Sequence, residues 1–318
     1  MTNSLLKTNI AAFQANTGNL WKVRGKPPAG VDNHLGMMAG TSPSMTFSKD
    51  LGPIIAFQAN TDTLFIFSAG GGVVDTQLPM MRGTSPYICA YYKGGFVVAY
   101  QSNKGNLCIN LGVPGTKVDL GLGMAARTGA TSIYGYTFAF QANTGTLWFC
   151  SDIPNSGVNT ELGMMAGTSP SISFSGKFDD PFFHVAFQAN TGALWMASGV
   201  PNLLPPIVSM DLGLAMAAGT SPSSSGTHVA FQGNNGTLWL ASNQKPADGI
   251  DLELGMLPGT SPSCILDGAG DIYIAFQANT GHLWITKSKL NSGMDTELGM
   301  MAGTSPVIFP DSAIKVPF

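Results

Sequence analysis

The sequence predicts an all-β chain in which residues 1–318 form a single domain, a seven-bladed β-propeller with four antiparallel strands in each blade. Three observations carry that reading. Two short motifs alternate seven times along the chain. Their spacing matches the length of one propeller blade. Apolar runs of strand length, set apart by turn residues, fill every unit, and no helix-length periodic segment occurs.

The first motif, Phe-Gln-Ala-Asn-Thr-Gly-x-Leu-Trp, begins at Phe13 and returns in variant form at Phe57, Tyr100, Phe140, Phe187, Phe231 and Phe276. Successive starts lie 40 to 47 residues apart. The second motif, Leu-Gly-Met-Met-Ala-Gly-Thr-Ser-Pro, begins at Leu35, Leu78, Leu122, Leu162, Leu214, Leu254 and Leu298. A period of about 40–45 residues suits helical repeats or propeller blades. Strand chemistry separates the two. An apolar run such as Ile54-Ile55-Ala56-Phe57 leads into a turn such as Asn60-Thr61-Asp62 or Asn143-Thr144-Gly145. A second run follows, such as Thr146-Leu147-Trp148-Phe149. Two runs joined by three turn residues read as a β-hairpin with a bulge. The 40 glycines and 20 prolines interrupt the chain too often for helical repeats.

Each blade is then assigned strands a to d. Strand a follows Thr-Ser-Pro, as in Ser171-Ile172-Ser173-Phe174. Strand b carries Phe-Gln-Ala and strand c carries Leu-Trp. Strand d is expected to be short and to hold a segment such as Asp295-Thr296-Glu297-Leu298. Residues 1–35 offer strands b, c and d but no strand a. The chain end supplies one after Pro306, at Val307-Ile308-Phe309. Pairing the two ends closes the ring and removes exposed edges. Residues 313–318 have no assigned place. In this topology the b–c turn and the link from d to the next blade's a lie on one face. Both motifs therefore meet there, and variable loops such as residues 48–52 and 175–182 occupy the other face.

Composition narrows the functional classes. Charged residues make up 10%, against roughly 25% in ordinary globular chains. Hydrophobic residues reach 44%, enough for a large core and too many for a disordered chain. The net charge is -3, and the 15 Lys and Arg are scattered, which argues against nucleic acid as a partner. Met-Thr-Asn-Ser-Leu-Leu-Lys at the start lacks the features of a signal peptide. A cytoplasmic location or release by a non-classical route is the expectation. No apolar run approaches the roughly 18 residues of a membrane span, so membrane insertion is not expected. Cys89, Cys108, Cys150 and Cys264 have no CxxC spacing and read as buried free thiols, with no metal and no cofactor implied.

Catalysis is not expected. His34, His184, His228 and His282 fall in unrelated parts of different units. Glycoside hydrolysis needs one pair of carboxylates at a set separation. Glu161, Glu253 and Glu297 recur with the blades instead. No phosphate loop, EF-hand or nucleophile elbow is present.

Binding residues are better marked. All five tryptophans, Trp21, Trp148, Trp195, Trp239 and Trp284, share one repeat position, filled by Phe65 and Cys108 in the other two units. An indole beside a polar loop can stack on the apolar face of a sugar ring. It can equally wedge between blades, and one Trp can do both. Gln14, Gln58, Gln101, Gln141, Gln188, Gln232 and Gln277 fill one strand-b position. Burial there favours a structural amide bonded to a neighbouring blade, with ligand contact as the alternative. Asn16, Asn60, Asn103, Asn143, Asn190, Asn234 and Asn279 sit in the turn, where each can cap it or present its amide. The Met pairs, such as Met37-Met38 and Met300-Met301, read as packing more than as pocket lining. Backbone needs account for Gly in a bulge and Pro before a strand. They account less well for the hydroxyl-bearing loops Gly40-Thr41-Ser42, Gly167-Thr168-Ser169, Gly219-Thr220-Ser221, Gly259-Thr260-Ser261 and Gly303-Thr304-Ser305.

The two interleaved motifs, repeated over nearly the whole chain, resemble those of the Photorhabdus lectin (PLL-like) family. The resemblance implies a propeller lectin that binds L-fucose and related sugars, including O-methylated ones, in pockets between blades. It also implies glycans or glycoconjugates as partners and a homo-oligomer. Carried onto this chain, it marks the units built on the five tryptophans, with Asn16, Asn143, Asn190, Asn234, Asn279 and the neighbouring Gly-Thr-Ser loops, as ligand sites. The Phe57 unit departs at Asp62 and Phe65. The Tyr100 unit departs further, with Ser102, Lys104, Cys108 and the loop Ala126-Arg127-Thr128-Gly129-Ala130. Arg127 stands where the other units have Gly, so an occluded or altered pocket is expected there. A protein-interaction scaffold is the alternative to a lectin, and one unique surface patch would mark it.

Overall fold

The Phe-Gln-Ala segments become central strands because both of their faces must be covered. In blade 1, Asn9–Gln14 is buried at all six positions. It pairs with Val307–Pro310 on one side and Asn19–Arg24 on the other, and Ala29–Gly36 forms the outer edge. The computed structural model describes residues 9–25, 28–112, 115–177, 180–200, 203–242, 245–267, 269–288 and 292–310. Across them, seven four-stranded antiparallel sheets follow the same a-b-c-d order. The a strands touch their neighbours all the way round, so they line the centre of the ring. The expected closure is present: Ile10 pairs with Phe309 and Ala11 with Ile308. Residues 313–318 lie outside the described residues.

The b–c turns form as the sequence predicts. Gly18 adopts φ 84° and its N–H reaches the Ala15 carbonyl at 2.8 Å, while the Ala15 N–H reaches the Asn19 carbonyl at 2.9 Å. Asp62 takes the same left-handed conformation in blade 2, at φ 65°.

Strand d corrects the expectation of a short edge. It runs from 6 to 13 residues, with Leu203–Ala215 and Lys245–Gly255 the longest. The Asp-x-x-Leu segment is only its final stretch, and there the strand bulges. The side chain of Asp32, Asp75, Asp119, Asn159, Asp211, Asp251 or Asp295 accepts the N–H two residues further on, at 2.7–2.9 Å in all seven blades. The residue that donates has positive φ every time: His34, Gln77, Gly121, Glu161, Gly213, Glu253 or Glu297. This side-chain bond replaces a ladder bond and turns the chain toward the next blade.

The core lies between the sheets. Phe13, Phe57, Phe140, Phe187, Phe231 and Phe276 are fully buried, as is Tyr100 in blade 3. The first Met of each link is buried in the same layers, for example Met37, Met164 and Met300. Cys108, Cys150 and Cys264 are buried free thiols, and Cys89 is a half-buried one. Burial pushes the Cys264 thiol up to about 11.

Candidate functional site

The two motifs meet in three dimensions. The Met37 N–H donates to the Gly18 carbonyl of its own blade at 2.9 Å. The Met38 N–H donates to the Gln58 carbonyl of the next blade at 2.9 Å, and the Asn60 N–H donates to the Gly36 carbonyl at 3.2 Å. Each link is thus stitched between two b–c turns. The buried Gln series completes the seam: Gln14 Nε2 donates to the Met37 and Met38 carbonyls at 3.2 Å. Equivalent bonds occur at Gln58, Gln101, Gln141, Gln188, Gln232 and Gln277. The amide therefore holds the link leading to the neighbouring blade, rather than the neighbouring sheet itself.

The Gly-Thr-Ser loops are built on internal bonds. Thr41, Thr168, Thr220, Thr260 and Thr304 are buried, and each hydroxyl donates to the carbonyl three residues back at 2.7–2.8 Å. Each Ser hydroxyl accepts a backbone N–H from the loop before it. Ser305 N–H donates to Ser42 Oγ, Ser169 N–H to Ser221 Oγ, Ser221 N–H to Ser261 Oγ and Ser261 N–H to Ser305 Oγ, all at 2.9 Å. The structure therefore brings these residues to the inner rim, where they join the loops to one another. Gly40, Gly167, Gly219, Gly259 and Gly303 have positive φ, and a Cβ added to any of them would meet nothing within 4 Å. They leave an open, exposed surface.

The grooves between blades hold the other candidates. Trp21 lies opposite Phe13 and Asp32 on its own sheet. Its six-membered ring lies over Gly30 and beside Leu298 of the preceding blade: a Cβ on Gly30 would sit 3.0 Å from Trp21 Cε3 and 3.0 Å from Leu298 Cδ1. Trp148 over Gly157 with Leu122, Trp239 over Gly249 with Leu214, and Trp284 over Gly293 with Leu254 repeat the arrangement. Each indole is half-buried, so one part packs between blades and another reaches the surface. Trp195 is half-buried in the same way. Asn16, Asn143, Asn190, Asn234 and Asn279 are exposed on the adjoining turns. The Asn60, Asn143, Asn190, Asn279 and Asn16 amides sit so close to Gly36, Gly123, Gly163, Gly255 and Gly299 that a Cβ there would meet Nδ2 at 2.5–2.6 Å. This accounts for the Gly in those five links, while Ala215 and Pro79 hold the position beside Asn234 and Asn103.

One candidate series escaped the sequence reading. The strand-d Asp faces the same groove as the Trp, since the two are cross-strand partners. Asn19 Nδ2 donates to Asp32 at 3.1 Å, Asn235 Nδ2 to Asp251 at 2.9 Å, and His282 Nδ1 lies 3.1 Å from Asp295. The His34 backbone N–H, first among several donors, holds the Asp32 carboxyl below its usual value. A carboxylate has about four lone-pair positions, so acceptor capacity remains for a ligand hydroxyl. The signal in the sequence is the Asp-x-x-Leu spacing itself. Among the described residues, no three His, Cys, Asp or Glu side chains gather as a metal site would require.

An aromatic surface, an exposed amide and a carboxylate in one groove can hold a small ligand with an apolar face and several hydroxyls. Fold and site together define a seven-bladed propeller with repeated aromatic grooves between its blades. No protein-family model matches the chain, and no curated protein matches it in sequence. Solved structures share the fold. AofleA from Arthrobotrys oligospora is 14% identical over 86% of this chain and 90% of its own, with a TM-score of 0.59. BBS1N, solved in complex with ARL6DN, is 13% identical over 79% and 78%, at 0.52. The SapL1 lectin, solved in complex with alpha methyl fucoside, is 10% identical over 94% and 99%, at 0.51. At such identities the likeness is one of fold alone. Among the described residues no helix is long and apolar enough to cross a membrane.

Proposed function

We propose that this chain is a multivalent lectin of the Photorhabdus lectin type, binding L-fucose or related monosaccharides, including O-methylated ones, between its blades on the motif-bearing face. One observation carries the reading: a half-buried indole, an exposed turn Asn and a groove-facing carboxylate recur together at Trp21, Trp195, Trp239 and Trp284, with Asn159 in place of the carboxylate at Trp148. An indole left partly open beside hydrogen-bonding groups suits the mixed apolar and hydroxylated surface of a deoxy sugar. The bound fucoside in SapL1 shows that one protein with this fold takes such a ligand, and so supports the reading.

The ligand sites are the grooves at Trp21, Trp148, Trp195, Trp239 and Trp284. Their exposed Asn and open Gly are the nearest neighbours of a ligand, and the buried Thr and half-buried Ser shape the loops behind. One stacking contact with a few hydrogen bonds gives a Kd of about 1 mM. Several sites on one face raise avidity for a glycan-coated surface by about 10²–10⁴-fold. That gain is a physical reason to keep near-identical copies. The proposal includes binding without catalysis, and a homo-oligomer whose size light scattering would report. A glycan array with and without free fucose tests the function. Loss of fucosylated hits on adding free fucose supports it. No glycan hit, together with capture of one protein partner, would favour the interaction-scaffold reading instead.

A further inference from the structure

The fourteen motif copies contain three Lys or Arg in all: Arg82, Lys104 and Arg127. The fold gathers all three around one turn. Asn103 N–H donates to the Pro79 carbonyl at 3.2 Å and Met81 N–H to the Gln101 carbonyl at 2.9 Å, which places Arg82 on one side of Lys104. Met124 N–H donates to the Gly105 carbonyl at 2.8 Å and Gln101 Nε2 to the Ala125 carbonyl at 3.2 Å, which places Arg127 on the other side. All three are exposed. Arg127 holds φ 63° where the other six copies have Gly. The loop keeps its shape, and a long cation stands where the other blades leave open space.

The ground beneath this turn is also different. Cys108 replaces the indole, so the stacking surface of the other grooves is gone. Tyr100 and Ser102 replace Phe and Ala, and their hydroxyls are buried with no oxygen or nitrogen partner, beside the Cys108 thiol. Both hydroxyls lie within hydrogen-bonding reach of the Cys108 thiol, so polar groups stand here where most other blades have Phe and Ala. Lys117 adds a further positive charge near Cys108, and Asp119 is already engaged by Asn106 and the Gly121 N–H.

We propose that this sector is a separate site for a saccharide bearing an anionic substituent, a sulfate ester or a carboxylate, with Arg82, Lys104 and Arg127 as the groups that read the charge. Guanidinium groups bind such oxyanions through paired N–H donors. The saccharide part of the ligand rests on the lectin reading above; the charge does not.

The test is a set of titrations on the full chain with methyl α-L-fucoside, a sulfated methyl fucoside and glucuronate. Each is measured for the unaltered protein and for the triple variant Arg82→Ala, Lys104→Thr, Arg127→Gly. Every substitution restores a residue that other copies already carry, so folding is retained. The expected result is one additional site for a charged sugar, weakened at least tenfold in the variant and by added salt, with neutral fucoside binding unchanged. The sulfate and carboxylate ligands separate the two sources of charge. Equal binding of charged sugars by both proteins would overturn the proposal. So would loss, in the variant, of oligonucleotide or anionic-vesicle binding with no preference for charged sugars. If neutral fucoside binds and charged sugars gain nothing, this inference alone fails; if no sugar binds, the lectin reading fails with it.

Discussion

The Trp position shows how two residues share one constraint. An indole over the neighbouring strand leaves no room for a Cβ, and Gly30, Gly157, Gly249 and Gly293 supply that space. Where Phe65 or Cys108 replaces the indole, the residue at the Gly position is Val73 or Lys117. In the Trp195 blade Ser209, opposite Ala197, holds the equivalent position, so the Trp–Gly pairing applies to the other four Trp blades. The double variant Trp148→Phe, Gly157→Val copies the blade 2 pair. It should stay within about 1.5 kcal/mol of the original stability in chemical denaturation, because the Val fills the space the smaller ring vacates, as in blade 2. Calorimetry should show one sugar site fewer. By contrast, Trp148→Ala leaves a void between Gly157 and Leu122 and should lower stability by about 3 kcal/mol. The bulge offers the opposite effect. Glu297 holds φ 59°, a conformation that disfavours any residue with a Cβ. Glu297→Gly should therefore raise stability by about 1 kcal/mol, read from the denaturation midpoint.

At the scale of an element, the Ser loops form a near-complete ring of N–H to hydroxyl bonds around the centre. Ser42 N–H reaches Ser85 Oγ at 2.9 Å and Gly129 N–H reaches Ser169 Oγ at 2.7 Å. The bond between Ser85 and position 129 is missing because Gly129 has no hydroxyl. Its φ is not positive, and an added Cβ would lie 3.3 Å from the Ser85 carbonyl and 3.5 Å from Ser169 Oγ, which is tight but admissible. Gly129→Ser should close the ring and add about 1 kcal/mol of stability. A drop in stability on thermal melting would show that the contact with Ser85 outweighs the new bond.

At the scale of the molecule, pH enters through the buried His184 and the half-buried His228. Burial lowers the His184 and His228 values from 6.5. The unfolded chain therefore binds protons first as pH falls through 6.5, and stability should fall with it. Melting at pH 7.5 and 5 checks this, and His184→Gln should narrow the difference. Most of the architecture was readable in the sequence because seven units, each with Phe-Gln-Ala and Gly-Thr-Ser-Pro or a close variant, set strand, turn and link in the same order. The length of strand d was not, since the bulge at Asp295 and Glu297 depends on one side-chain bond that lets the strand continue on both sides. The Trp–Gly pairing was not either, because Gly30 and Gly157 lie in the variable stretch between motifs. The roles of Thr41 and Ser42 were ambiguous for a different reason: a hydroxyl that joins loops and one that meets a ligand look alike until its partner is known.

The most direct test of the account is a crystal of this protein soaked with methyl α-L-fucoside. The account predicts sugar density beside Trp21, Trp148, Trp195, Trp239 and Trp284, on the face where Asn16 and Gly299 meet, and none over Phe65 or Cys108. A single sugar on the opposite face, or empty grooves at saturating ligand, would contradict it.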